Sequence, residues 1–152
     1  MKSLITVSIV PLAAAGAAIL AVLGFQSLHP RIAHAQQGCS ASSFNAPYSY
    51  NVTGTYYDNA GNVYAYGDAG TFTPDGNGNL TGSDTVSNDG AIGHRTFTGS
   101  YSVNANCSGS AKFQFSDGMN ASMDLFLGNG GKSVNFIDTD NNVIVTGNAT
   151  AQ

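Results

Sequence analysis

Residues 95–116, RTFTGSYSVNANCSGSAKFQFS, contain two alternating segments separated by a turn. In the first segment, positions 97, 99, 101 and 103 are apolar or small, while positions 96, 98, 100 and 102 are Thr or Ser. The second segment, 108–116, follows the Asn-rich turn 104–106 and places Phe113 and Phe115 on one face. Alternation with period two is typical of half-buried strands, and short Asn-rich connections are typical of turns. The stretch therefore predicts a β-hairpin.

The same pattern continues on both sides of this hairpin. No segment after residue 36 shows a sustained 3.6-residue apolar period, and clusters of Gly, Asn and Asp separate short alternating runs. This composition favours strands and turns over helices. We predict eight strands, at 48–57, 62–73, 79–87, 95–103, 108–116, 121–127, 132–138 and 143–151.

The connections between these strands are short, so neighbouring strands should pair antiparallel. Pairing the first strand with the eighth would remove both free edges of the sheet. We therefore predict an all-β, up-and-down, closed barrel whose interior fits side chains or one small ligand. The alternative is an open β-sandwich.

The first 35 residues have a different composition. Lys2 precedes an almost wholly apolar run over 4–25, and Ala33 and Ala35 supply the small residues of a signal-peptidase site. We predict a signal peptide, 1–35, cut after Ala35, and a secreted or periplasmic domain at 36–152. The alternative is an uncleaved membrane tether, because the apolar run is near the length that spans a bilayer.

Charge argues against two classes of partner. The predicted domain keeps three basic residues against nine Asp, a formal net charge of −6, and the chain contains no Glu. A mildly acidic surface with scattered cations disfavours nucleic acid and anionic membranes. The oligomeric state stays open.

The two cysteines, Cys39 and Cys107, predict one disulfide, because export makes pairing the default. A redox motif of the C-x-x-C type is absent from the sequence.

Two runs of oxygen-bearing residues, beginning at Asp75 and Asp138, resemble calcium-binding loops in their spacing. Neither has the Gly at the sixth position or the Glu at the twelfth that a full loop requires, so both are interpreted as hairpin turns. We predict no metal and no cofactor. His94 is placed in a Gly-rich loop beside Arg95, without a nucleophile motif.

Aromatic residues dominate one face of several predicted strands. If these faces point inward, Asp68 and Asp84 point inward with them. A carboxyl group among aromatic side chains would have a raised pKa and could serve as an acid or base, so both are candidate catalytic residues. The alternative is that the aromatic rings fill the barrel and each Asp lies near a mouth or bonds to a Tyr hydroxyl. The candidate ligand-binding residues are Tyr48, Tyr50, Tyr64, Tyr66, Phe72, Phe97, Tyr101, Phe113 and Phe115.

The stretches GTFTPDGNGNLTG (70–82) and FTGSYSVNANCSG (97–109) are similar to segments of exported proteins of soil bacteria. With its eight meandering strands, the domain resembles the calycin-type barrels, meaning lipocalins and the allene oxide cyclase group. The resemblance implies barrel architecture and no site residues. The Gly-x-Trp of lipocalins is missing, because the chain has no Trp.

Three functions follow from these observations. The first is a non-catalytic barrel that binds a small apolar or aromatic molecule. The second, by analogy with allene oxide cyclase, is a barrel isomerase or cyclase assisted by Asp68 or Asp84. The third is a structural or surface-interaction module, which a free strand at 48–57 would favour.

Overall fold

The computed structural model describes residues 38–152. The predicted signal peptide, its cleavage after Ala35 and the alternative membrane tether lie outside the described residues. Within 38–152 there is no helix with the length and apolar character needed to cross a bilayer. The elements are two short 3-10 helices, Ala41–Ser43 and Asn129–Gly131, and eight strands: β1 Tyr48–Tyr57, β2 Val63–Pro74, β3 Asn79–Asn88, β4 Ala91–Val103, β5 Ser108–Phe115, β6 Asn120–Gly128, β7 Ser133–Asp138 and β8 Val143–Ala151.

The eight strands form a closed antiparallel barrel in sequence order. β1 pairs with β2 from Tyr48 opposite Phe72 to Tyr57 opposite Val63, and β8 pairs with the other side of β1. The predicted up-and-down barrel is therefore confirmed, and the β-sandwich alternative is wrong. β1 has no free edge, so the feature that would have favoured a surface-assembly module is not present in this strand.

Side-chain alternation along the strands agrees with the sequence pattern. Inward positions are mostly buried or half-buried, and outward positions are mostly Thr, Ser and Asn. The pairing registers run without a bulge, so the parity of each strand is kept from end to end. The buried apolar side chains form one core along the barrel axis, and its largest members are Phe44, Tyr48, Phe72, Phe97, Tyr101, Phe115 and Phe136.

One connection differs from the prediction. β4 begins at Ala91 rather than at residue 95, and the turn before it is only Asp89-Gly90. Both turn residues have positive φ, 48° and 86°, which is the conformation of a tight type I′ hairpin. The expectation that His94 lies in a loop is wrong: it lies on β4, on the outer face, where Nδ1 is 3.0 Å from the Thr85 hydroxyl.

Glycines inside the strands make room for large side chains across the pair. Gly82 lies opposite Phe97, and a Cβ at position 82 would overlap the Phe97 ring. Gly147 has the same relation to Phe136. Because glycine has no side chain, the aromatic ring on the neighbouring strand can pack directly over the backbone of the glycine.

The segment before β1 closes one end of the barrel, which we call the plugged end. Phe44 is 1 % exposed, and its ring packs against Tyr48 and Tyr101, with centroids 5.0 Å away in each case. Cys39 and Cys107 form a disulfide with their Cα atoms 4.9 Å apart, as predicted. The bridge ties the segment to the β4–β5 hairpin. Disulfides of this kind are typical of oxidising compartments.

Candidate functional site

The opposite end of the barrel, which we call the mouth, is built from the β1–β2, β3–β4, β5–β6 and β7–β8 hairpins. A cavity of about 170 Å³ lies there. A site of this size matches a single aromatic ring, since a cavity of roughly 150 Å³ holds benzene. Its lining combines apolar and polar side chains, namely Val52, Tyr56, Tyr66, Asp68, Asn88, Arg95, Phe115, Met119, Asn120, Ala121, Met123, Asp138, Asp140, Val143 and Val145.

A second, smaller cavity of about 40 Å³ lies deeper in the barrel. Tyr50, Phe97 and Phe113 help to line it, and Asp68, Phe115 and Met123 border both cavities. Its volume is enough for roughly two or three water molecules and too small for an organic ligand. Aromatic side chains therefore fill most of the middle of the barrel, and space for a ligand is concentrated at the mouth.

The floor of the mouth cavity is a buried ion cluster centred on Arg95, which lies on β4. Its Nε donates to Asp84 Oδ1 at 3.0 Å, and its Nη2 donates to Asp84 Oδ2 at 2.7 Å. The Arg95 and Asp84 side chains are 3 % and 0 % exposed. A two-bond contact between guanidinium and carboxylate is the strongest geometry for such a pair. Asp84 is consequently fully engaged, and it lines neither cavity.

Arg95 also holds the second buried carboxylate, that of Asp68 on β2. Nη2 lies 3.2 Å from Asp68 Oδ2 and 3.0 Å from the Tyr66 hydroxyl, which itself donates to Asp68 Oδ2 at 3.2 Å. On the other side of the cluster, Tyr50 donates its only hydroxyl proton to Asp84 Oδ2 at 3.3 Å. Two tyrosines thus supply hydrogen bonds that one arginine cannot supply alone.

Two further contacts complete the surroundings of Arg95. Its guanidinium carbon lies 4.1 Å from the centre of the Phe115 ring, a cation–π contact. Nη1 is 3.5 Å from Asp117 Oδ2, a longer contact to a partly exposed carboxylate in the β5–β6 hairpin. With Tyr50 of β1, the cluster therefore joins β1, β2, β3, β4 and β5 beneath the mouth.

Two acceptor atoms at the mouth have no hydrogen-bond partner. These are Asp68 Oδ1 and Asn88 Oδ1, and they are the only buried side-chain polar atoms of residues 38–152 left without a partner. Both residues line the mouth cavity. Each unpaired buried acceptor lowers the stability of the fold by about 1–3 kcal/mol. The mouth therefore contains hydrogen-bond acceptors for which its own side chains supply no donor.

The buried environment changes the proton affinity of the cluster. Burial, with the Asp84 carboxylate beside it, raises the pKa of Asp68 to about 6, against the lowering effects of Tyr50, Arg95 and Tyr66. Burial also raises the pKa of Tyr66 to about 12. At the rim, burial and the neighbouring Asp140 raise the pKa of Asp138. Burial thus moves the titration of Asp68 from the acidic range towards neutral pH.

The predicted ligand-binding residues divide into three groups. Tyr66 and Phe115 line the mouth cavity. Tyr50, Phe72, Phe97 and Phe113 line the small inner cavity with Phe115. Tyr48, Tyr64 and Tyr101 line neither: Tyr48 donates to the Gly131 carbonyl, Tyr101 to the Phe44 carbonyl, and Tyr64 to Asp58.

Of the candidate catalytic residues, Asp68 borders both cavities and Asp84 lies behind Arg95. Sequence reasoning placed Arg95 beside a loop and missed its role. The signal was available: Arg95 has the same parity as Phe97 and Tyr101, and an arginine on the inward face of a strand requires buried acids nearby.

The first of the two calcium-like runs is a tight turn. Asp75 Oδ1 accepts hydrogen bonds from the backbone N–H groups of Asn77 and Asn79, at 2.7 and 3.0 Å. Oδ2 accepts one from the Asn79 side-chain amide at 2.9 Å. The Asp75 carboxylate thus serves the hairpin itself, which is the turn chemistry expected of Asp and Asn. In the second run, Asp138 Oδ1 likewise accepts from the Asp140 backbone N–H at 2.8 Å.

The sequence matches no protein-family model and no curated protein. Among solved structures, the chain is similar to a de novo designed fluorescence-activating beta barrel, with a TM-score of 0.48 and 17 % sequence identity over 74 % of this chain and 96 % of that one.

Proposed function

We propose that this protein is an exported, non-catalytic barrel that binds a small apolar or aromatic molecule in the mouth cavity. The observation that carries the proposal is the cavity of about 170 Å³, which has an apolar wall and a polar floor. Ligand sites are typically concave and mostly apolar, with a few fixed polar groups that orient the ligand.

The apolar wall comes from inward positions of β1, β6 and β8. Val52, Met123, Val143 and Val145 supply aliphatic surface, and Phe115 supplies an aromatic ring beside the floor. Burying one ring of about 100 Å² of apolar surface against this wall would contribute about 2–3 kcal/mol. The wall therefore favours binding, while the ion cluster fixes the floor rigidly beneath it.

Two features support export. The disulfide links the plugged end to the β4–β5 hairpin, and disulfides persist mainly in oxidising compartments. The sequence before the barrel has the composition of a signal peptide. The closed eight-stranded meander also supports the calycin-type architecture that the sequence resembles.

The test is an NMR titration of the oxidised protein with indole, a neutral aromatic probe close to the cavity in size. We expect methyl resonances of Val52, Val143 and Val145 to shift. Val143→Phe should fill the cavity and reduce indole affinity at least tenfold. Ile144→Phe is the matched control, because Ile144 is the next residue of β8 and is 59 % exposed on the outer face.

The proposal is wrong if indole leaves the three valines unshifted at millimolar concentration. It is also wrong if Val143→Phe and Ile144→Phe change the indole affinity equally, because the binding would then lie outside the cavity.

A further inference from the structure

We infer that the mouth cavity selects a ligand with a positively charged amine, an organic ammonium of about one ring in size, whose N–H groups bind Asp68 Oδ1. This inference rests on the proposed function and specifies the chemical class of its ligand. It is carried by the unpaired acceptors of the cavity and by the sign of the charges around them.

The geometry of Asp68 leaves one oxygen available for a donor. The Asp68 side chain is 3 % exposed, and both of its hydrogen bonds, from Tyr66 and Arg95, reach Oδ2. The Tyr50 hydroxyl lies close enough to Asp68 to affect its pKa, but its hydrogen bond is made to Asp84 Oδ2, at 3.3 Å. Asp68 thus lines both cavities, and its buried Oδ1 has its acceptor capacity unused.

The second unpaired atom has the same chemistry. Asn88, at the end of β3, lines the mouth cavity, and its buried Oδ1 has no donor. An ionised carboxylate and an amide oxygen both accept hydrogen bonds and donate none. A ligand that satisfies this end of the barrel must therefore bring donors, and an ammonium group brings three.

The net formal charge of the side chains that line the cavity is negative. Three carboxylates line it, from Asp68, Asp138 and Asp140, against one guanidinium, from Arg95. Arg95 is already bound to Asp84 outside the cavity and contacts Asp117 as well. A wall with a formal excess of two negative charges attracts cations and repels carboxylates, and the low dielectric of a recess strengthens both effects.

No other basic side chain of residues 38–152 lines the mouth cavity. Lys112 is exposed on the outer face of β5, Lys132 follows the β6–β7 turn at the plugged end, and His94 is exposed on the outer face of β4. An incoming anion would therefore meet only an arginine whose donors are largely occupied, whereas an incoming cation would meet free acceptors.

The experiment compares three probes of nearly equal volume: 2-phenylethylammonium, 2-phenylethanol and phenylacetate. Each is titrated into the oxidised full chain at pH 7.5 and low salt, followed by the Val52, Val143 and Val145 methyl shifts. We expect the ammonium to bind at least tenfold more tightly than the alcohol, and phenylacetate to bind more weakly than both.

Asp68→Asn removes the charge while keeping the shape of the side chain. It should reduce the preference for ammonium over alcohol to threefold or less. Asp124→Asn is the matched control, since Asp124 is exposed on the outer face of β6, and it should keep the full preference. If Asp68→Asn does not fold, the wild-type protein at pH 5 supplies the same contrast, because Asp68 is then protonated and the preference should fall.

Equal binding of ammonium and alcohol to the wild-type protein would overturn the inference, and so would tighter binding of phenylacetate. A preference that survives both Asp68→Asn and pH 5 would do the same. If 2-phenylethanol still bound in the cavity in these cases, the proposed function would remain supported. Binding of none of the three probes would instead count against the proposed function itself.

Discussion

The two ends of the barrel use similar residue types, but one end is filled by packed side chains and the other contains an open cavity. At the plugged end, Tyr48 and Tyr101 donate to backbone carbonyls, and the Phe44 ring fills the space between them. At the mouth, Tyr50 and Tyr66 donate to carboxylates around Arg95, and a cavity stays open above them. Tyrosine thus completes the packing at one end and supports a charged floor at the other.

The difference lies in what covers each end. The chain before β1 folds over the plugged end and is fixed there by the Cys39–Cys107 disulfide. Within residues 38–152, hairpin turns alone border the mouth, so its inward side chains meet a cavity instead of another of these segments. Both unpaired buried acceptors lie at this end. Local rules of packing and polar satisfaction are typically relaxed at functional sites, which favours the mouth as the site.

The largest effect that we expect at the mouth comes from Arg95→Met, which removes the cation and keeps most of the side-chain volume. Asp68 and Asp84 would then be two buried carboxylates without a counter-ion. Breaking a buried ion pair in this way costs about 3–5 kcal/mol. Urea unfolding at pH 7 measures the loss, with Lys112→Met on the exposed face of β5 as the control. A loss below about 1 kcal/mol would show that the cluster does not stabilise the mouth.

Removal of the disulfide tests the plugged end. The bridge closes a loop of 68 residues, for which the chain-entropy model gives about 4 kcal/mol as an upper estimate. We expect Cys39→Ala with Cys107→Ala to lower the free energy of unfolding by about 3 kcal/mol and to leave indole affinity at the mouth within twofold of the wild type. Loss of indole binding in a protein that is still folded would contradict the independence of the two ends.

Phe44→Ala tests the packing of the plugged end without touching the disulfide. Truncation of a fully buried Phe leaves a cavity and costs about 3 kcal/mol. The matched control is Phe126→Ala, because Phe126 is 52 % exposed on the outer face of β6 and should cost less than about 1 kcal/mol. Urea unfolding of the two variants measures the difference, and equal losses would mean that Phe44 is not a buried plug.

The barrel could be predicted from the sequence because its strands alternate without bulges, as in Phe97, Gly99 and Tyr101. The disulfide could be predicted because only two cysteines are available. The start of β4 could not be predicted, because Gly90 and Gly93 are both typical of loops. Only the pairing of β4 with β3 selects the short turn.

The inward placement of Asp68 and Asp84 could be predicted from strand parity, whereas their roles as site residues stay a prediction. Strand parity could not predict two features of the mouth. Parity gives the face of a strand but not the height along the barrel axis, so it could not separate Tyr50 and Tyr66 from Tyr48 and Tyr101. It also could not show that the segment around Phe44 would cover only one end, which is a property of the assembled barrel.

The smallest predicted effect concerns the pH dependence of stability at the mouth. Burial raises the pKa of Asp68 from 3.8 in the unfolded chain to about 6 in the folded protein, so between these values the folded state binds more protons. Stability contributed by protonated Asp68 is therefore fully present below pH 3.8 and is lost as the pH rises through 6. The shift corresponds to roughly 2–3 kcal/mol.

Asp68→Asn cannot ionise and should lack this component. We expect the stability of the wild type relative to Asp68→Asn to fall by roughly 2–3 kcal/mol between pH 4 and pH 7, in urea unfolding at four pH values. Asp124→Asn should show no such change relative to the wild type, because Asp124 is exposed. A difference that rises with pH would contradict this prediction, because it would mean that Arg95 and the tyrosines stabilise the Asp68 carboxylate more than burial and the Asp84 carboxylate destabilise it.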